Sequence, residues 1–156
     1  HHKAPFIAVV ETEAETHNPQ RIQLRAVIGF RSAEIERYAK ANLAPGCHVI
    51  SDGLACFTAV RKARCIHAPI VSAGGRKGAE HPSFKWVNTM LGNVKNAITG
   101  TLHSVSLKHV ARYLAEFEYR FNRRYHLGDM IERLTYVGLR TPPMPYRLLR
   151  LAENSG

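Results

Sequence analysis

The chain of 156 residues holds only two aspartates, Asp52 and Asp129. Asp52 follows a short apolar run, Cys47 to Ile50, in the stretch HVISDG. That places it at the carboxyl end of an expected strand, where the functional groups of α/β sheets gather. Asn88 and Lys95 stand seven residues apart in FKWVNTMLGNVKNAITG. Seven steps of 100° fall about 20° short of two full turns, so this amide and this ammonium share one helical stripe, about 10 Å apart. Gly92 lies between them and keeps the stripe low. Singly, each residue is ordinary: SDG is turn sequence, and Asn88 and Lys95 suit a solvated helix face. Their conjunction, with thirty-five residues between Asp52 and Asn88, makes them candidates for one site.

Charge narrows the partner. Twenty-two Lys and Arg against twelve Asp and Glu give a formal charge of +10, which in a folded domain favours a polyanion, nucleic acid before membrane. No run of eighteen apolar residues is present to span a membrane, and no signal-peptide pattern opens the chain. Cys47, Cys56 and Cys65 form no CxxC pair; they read as buried small residues in a reducing compartment rather than as zinc ligands. The loop SAGGRKGAEHP is glycine-rich and basic but lacks the GxxxxGK[ST] pattern, and no HExxH motif occurs.

The elements that must position these residues follow from periodicity. FIAVV, Phe6 to Val10, reads as a buried strand. Ile22, Leu24 and Ala26 alternate with Arg21, Gln23 and Arg25, which predicts a half-exposed strand pairing back as a hairpin. Ser32 is expected to cap a helix through about Asn42, stopped by Pro45-Gly46. A strand at Cys47 to Ile50, a helix over Leu54 to Lys62 and a strand at Cys65 to Val71 follow. Pro82 then starts a helix whose apolar face is Phe84, Val87, Leu91, Val94 and Ile98. A second helix after Ser106 carries Leu107, Val110, Leu114, Phe117 and Phe121, and ends in Asn122-Arg123-Arg124. A third runs from Asp129 to about Leu139 and stops at TPPMPY. The order predicts a mixed α/β domain with one central sheet.

On HVISDGLACF, HPSFKWVNTMLGNVKNAITGTLH, ARYLAEFEYRFNRR and LRTPPMPYRLL, the chain resembles bacterial insertion-sequence transposases of the DDE superfamily. The subgroup is the ISXO-like one, with an Asp-Asp-Asn plus Lys signature, and the likeness runs from about Pro5 to Glu153. It implies an RNase H-like mixed sheet flanked by helices, with residues 1–125 as the catalytic domain, lacking its first strand here, and 126–156 as a helical C-terminal extension. It also implies phosphoryl transfer on two Mg²⁺ ions, with Mn²⁺ as a substitute. Asp52 matches the second metal-binding acid and Asn88 the third member, an amide whose carbonyl oxygen suits a hard cation. Lys95 matches the downstream basic residue that holds a DNA phosphate. Lys85, Arg76, Lys77, Arg123 and Arg124, with Arg61, Lys62 and Arg64, are the further cations expected near DNA.

The implied partners are double-stranded DNA, at element ends and target, and further copies of the chain on that DNA. The implied setting is the bacterial cytoplasm and nucleoid. One departure stands out: the family's first aspartate belongs to a strand ahead of FIAVVE, and no aspartate precedes Asp52 here. The chain by itself is therefore expected to be inactive. Two other readings fit the same residues, an RNase H-like nuclease that cuts without joining and a DNA-binding remnant without catalysis.

Overall fold

Residues 5–71, 81–102, 107–143 and 145 are described by a computed structural model, the side chains at 99, 101, 102, 107 and 108 excepted. The expectations for Arg76 and Lys77 in the glycine-rich loop, and for the last ten residues, lie outside these. The alternation read from the sequence makes a hairpin of β1 (Phe6–Thr12) and β2 (Pro19–Ala26), antiparallel from Phe6↔Ala26 to Val10↔Ile22. Phe6, Ala8, Val10, Ile22 and Leu24 share one face; Ile7 and Val9 share the other. Both faces are covered, so the hairpin is the middle layer of three.

The first covering layer is α1 (Ser32–Asn42) and a 3₁₀ segment, Ala55–Ala63. Ile35, Tyr38 and Ala39 of α1 pack with Cys56, Ala59, Val60 and Ala63. The small residues among these let the two elements approach closely. Ser32 is the first helical residue rather than the cap; Arg31 stands at the cap without a side-chain bond. The expected α-helix after Asp52 is wound more tightly, with bonds such as Phe57 N–H to Leu54 O spanning three residues. β3 (His48–Ser51) precedes the 3₁₀ segment and β4 (Ile66–Pro69) follows it, and the two strands pair in parallel.

The expected single central sheet is instead two two-stranded sheets among the described residues, β1-β2 and β3-β4. Side-chain packing joins them where ladder bonds do not. Ile7 and Val9 of one sheet meet Val49 of the other, with Cys47 and Cys65 just ahead of its two strands, in a single core with α1 and the 3₁₀ segment.

The second covering layer is α2 (Lys85–Leu102), entered through a 3₁₀ turn at Pro82–Phe84, and α3 (Leu107–Asn122). Met90 and Val94 of α2 join Val110 and Leu114 of α3 over Ile22 and Leu24. The buried face of α2 is thus centred on Met90, which the sequence reading passed over; Phe84, Val87 and Leu91 are only half-buried. Burying Ile22, Ile35 and Leu114, the largest fully enclosed side chains, stabilises the fold by about 1.5–3 kcal/mol each.

The outer edge of β2 is closed by side chains of α3. The Asn122 amide accepts from Ile22 N–H at 2.8 Å and donates to Ile22 O at 2.9 Å, taking both bonds a neighbouring strand would make. Glu118 accepts from Leu24 N–H at 2.9 Å, and Arg124 donates to Pro19 O. A last helix, α4 (Asp129–Arg140), buries none of its side chains.

Replacing the Asn122 amide tests this closure. Asn122→Ala leaves a part-buried donor and acceptor unmatched and is expected to lower the unfolding free energy by about 1–3 kcal/mol in urea titrations. Arg123→Ala, one residue on, removes only a guanidinium stacked on the Tyr119 ring and should change it by less than about 0.5 kcal/mol. Equal effects of the two would contradict a specific role for the amide.

Candidate active site

Asp52 leaves β3 in a turn fixed from three sides. Before it, Ser51 is buried, and its Oγ shares a hydrogen bond of 2.9 Å with His67 Nε2 of β4. The Ser51 carbonyl accepts from Ile70 N–H at 2.8 Å, continuing the parallel pairing past the strand end. After it, Gly53 has φ +81, a conformation that L side chains rarely adopt. A Cβ at Gly53 would also lie 2.9 Å from Val71 Cγ2, so the turn is pressed against the exit of β4. The Asp52 carboxylate itself is exposed, and its Oδ1 accepts from Leu54 N–H at 3.2 Å. The sequence motif SDG is therefore a real turn and also an acid presented to solvent at a strand's carboxyl end.

Asn88 and Lys95 are both exposed on α2. Two residues on from Asn88, Met90 is buried against β2, a turn of about 200° around the helix. The Asn88–Gly92–Lys95 stripe therefore faces away from the core that anchors α2. A side chain added at Gly92 would meet nothing within 4 Å, so the space beside the stripe is open. His81 caps the entry to this helix, its Nδ1 accepting from Ser83 N–H at 3.2 Å. Asp52 and Asn88 sit on separate elements, in the two halves of the fold that the β1-β2 hairpin joins. Asp52 and Asn88 offer hard oxygen donors, which suit a divalent cation. Among the described residues no group of three or more His, Cys, Asp or Glu gathers to hold one.

The predicted cations divide by their surroundings. Lys85 is exposed, its ammonium 5.1 Å from the Trp86 ring. Arg123 stacks 4.8 Å from Tyr119. Arg124 is taken up by the fold: it bonds the carbonyls of Pro19, Gln20 and Phe121 and lies over the Phe121 and Tyr125 rings. Lys62 is paired with Glu36, which also binds Lys40; the two ammonium groups hold that carboxyl down at about 2.

The residues missed from the sequence are the pair Ser51 and His67. A period-two reading of Cys65-Ile66-His67 would have found it, since it sets the imidazole on the same inward face as Cys65. His67 Nδ1 is buried and has no hydrogen-bond partner among the described residues. Burial, with a smaller push from the Arg61 charge, lowers the pKa of His67 from its ordinary 6.5. The unfolded chain therefore takes up this proton first. Stability present above about pH 6.5 is lost as the pH falls from there through the depressed folded value. In urea titrations at about pH 7.5 and about pH 5.5, His67→Gln should lose less stability on acidification than the wild type. An equal loss in both proteins would contradict the assignment.

A family model described as the ISXO2-like transposase domain matches residues 1–122. No curated protein and no solved structure matches. The match spans β1 to the end of α3 and takes in Asp52, Asn88 and Lys95; Arg123, Arg124 and everything after them, α4 included, lie outside it. The chain therefore belongs to the ISXO2-like transposase domain family, insertion-sequence transposases of the DDE type.

Proposed function

We propose that this domain cleaves DNA at the ends of an insertion sequence and transfers the freed 3′-hydroxyl into target DNA, within an RNase H-like unit spanning residues 1–125. The observation that supports this reading is that one transposase family match contains both an exposed acid at a strand end and an exposed amide–ammonium stripe on a helix. Transposases of this type generally use divalent metal ions. Such ions, when bound, activate the attacking oxygen and stabilise the leaving one. Asp52 and Asn88 are the residues here that would hold them, through a carboxylate and an amide oxygen. A third acid completes the set. The resemblance implies it on a strand ahead of Phe6, so the assays below use a chain extended upstream to include such an acid, called the intact transposase.

The other residues bind and position DNA. Lys95 holds a backbone phosphate as a point charge, and Gly92 lets the backbone lie close to α2. Lys85 and Arg123 add sequence-independent contacts of the same kind. Arg124 is assigned to the edge of β2 instead, on the strength of its three carbonyl partners.

With pre-cut ends, Asp52→Ala and Asn88→Ala are each expected to lower strand transfer about a thousandfold, the equivalent of several kcal/mol of charge stabilisation. Full activity of either variant would refute the site. Lys95→Ala should lower the slope of log affinity against log salt by about 1. Gly92→Leu is the most discriminating change. It enters open space in a helix, so it should stabilise the fold by up to about 1 kcal/mol while impairing DNA binding. If binding is untouched, Gly92 has no part in the DNA path.

A nuclease that cannot join would cleave ends yet leave pre-cut ends unjoined. The other alternative is a DNA-binding remnant without catalysis. Titration of the intact transposase with Mg²⁺ separates it, because a remnant would bind none.

A further inference from the structure

Cys47 and Cys65 are eighteen residues apart in the chain, and the fold brings them sulphur to sulphur. They stand one residue ahead of the first paired residues of the parallel ladder, His48 and Ile66. Two backbone bonds bracket them. Gly46 N–H donates to Arg64 O at 2.8 Å, and Ile66 N–H donates to Cys47 O at 2.9 Å. Neighbouring strands lie about 4.8 Å apart, inside the roughly 4.4–6.8 Å that a disulfide asks of its two Cα atoms. Both side chains turn to one core, both are free thiols, and the Cys47 S–H donates to Cys65 Sγ at 3.4 Å. A disulfide needs the sulphurs to close by only about 1.4 Å more.

The two thiols are unequal. Cys65 is 6% exposed, whereas Cys47 is half-buried, so a small oxidant in water meets Cys47 first. Burial, with Cys47 beside it, pushes the Cys65 thiol up to about 11. It therefore stays protonated until an activated sulphur stands next to it. An accessible thiol backed by a buried resolving thiol is the arrangement of a redox-sensing pair.

We propose that Cys47 and Cys65 form a reversible redox site, closed to a disulfide by a hydroperoxide and reopened by a dithiol. The Cys47 sulphur attacks the peroxide: an S–O bond forms, the O–O bond breaks, and the departing oxygen leaves as water with the Cys47 proton. The Cys65 sulphur then attacks the sulfenic acid on Cys47. An S–S bond forms, the S–O bond breaks, and a second water leaves with the Cys65 proton. The cysteines lose two electrons and the peroxide gains them; a dithiol returns them by exchange. The ring so closed holds β3, Asp52 and the whole 3₁₀ segment. It fastens at its start a ladder that Ser51 and His67 already fasten at its end. The site needs neither metal nor DNA and does not rest on the catalytic reading.

Hydrogen peroxide treatment of the full chain, then alkylation of the remaining thiols and peptide mass spectrometry, tests the pair. A peptide linking Cys47 to Cys65 should appear, with the alkyl group on Cys56 alone, and dithiothreitol should restore all three thiols. The oxidised chain should unfold in urea at a midpoint about 1 M or more above that of the reduced chain, since the bond restricts the unfolded state. Neither measurement needs a variant. With Cys65→Ser the reaction should stop at a sulfenic acid on Cys47, trapped by dimedone, while Cys47→Ser should leave Cys65 unmodified. Four results would overturn the proposal: Cys47 and Cys65 both alkylated after peroxide; a disulfide that uses Cys56 or joins two copies; an oxidised chain no more stable than the reduced one; or a sulfenic acid on Cys65 in Cys47→Ser.

Discussion

The structure depends on one strand being apolar on both sides. β1 sends Ile7 and Val9 into the core under α1, and Phe6, Ala8 and Val10 into the core under α2 and α3. Asp52 belongs to the first half and Asn88 to the second, so the hairpin is the physical link between the two candidate ligands. A shift of register by one residue would exchange the two sets of side chains and disrupt both cores together. That constraint ties the packing of the segment that bears Asp52 to the packing of the helix that bears Asn88.

The helices use their polar residues unequally. On α3, Glu118 and Asn122 are spent on the β2 backbone, and Arg124 beyond its end does the same. On α2, Lys95 is exposed beside a Gly92 whose missing side chain leaves open space. The high positive charge is therefore not one undifferentiated coat. Part of it, Arg124 and Lys62, binds backbone carbonyls and Glu36, while others such as Lys85 and Lys95 are exposed.

Much of this was legible in the sequence because apolar period reports directly on burial. The hairpin, α1, α3 and α4 all begin and end close to where periodicity set them, and Asp52 emerged at a strand end as expected. What escaped reading had other causes. The division into two sheets depends on which strand edges meet, which no single strand's pattern encodes. The tight winding after Asp52 and the shift of the α2 core face to Met90 depend on neighbours distant in sequence. Arg124 looked like any surface cation, because a guanidinium that bonds carbonyls and one that awaits phosphate have the same sequence signature. The Ser51–His67 pair was hidden because polar residues in short strands are read as outward-facing.

The amide of Asn122 has a consequence for how this sheet can be extended. By occupying both the N–H and the C=O of Ile22, it makes one margin of the hairpin sterile. Lateral growth of the sheet, by a segment of the same protein or of another chain, is then confined to the opposite margin, along β1, where the described residues supply no ladder partner. A side chain at the end of one helix thereby gives a two-stranded ribbon a direction.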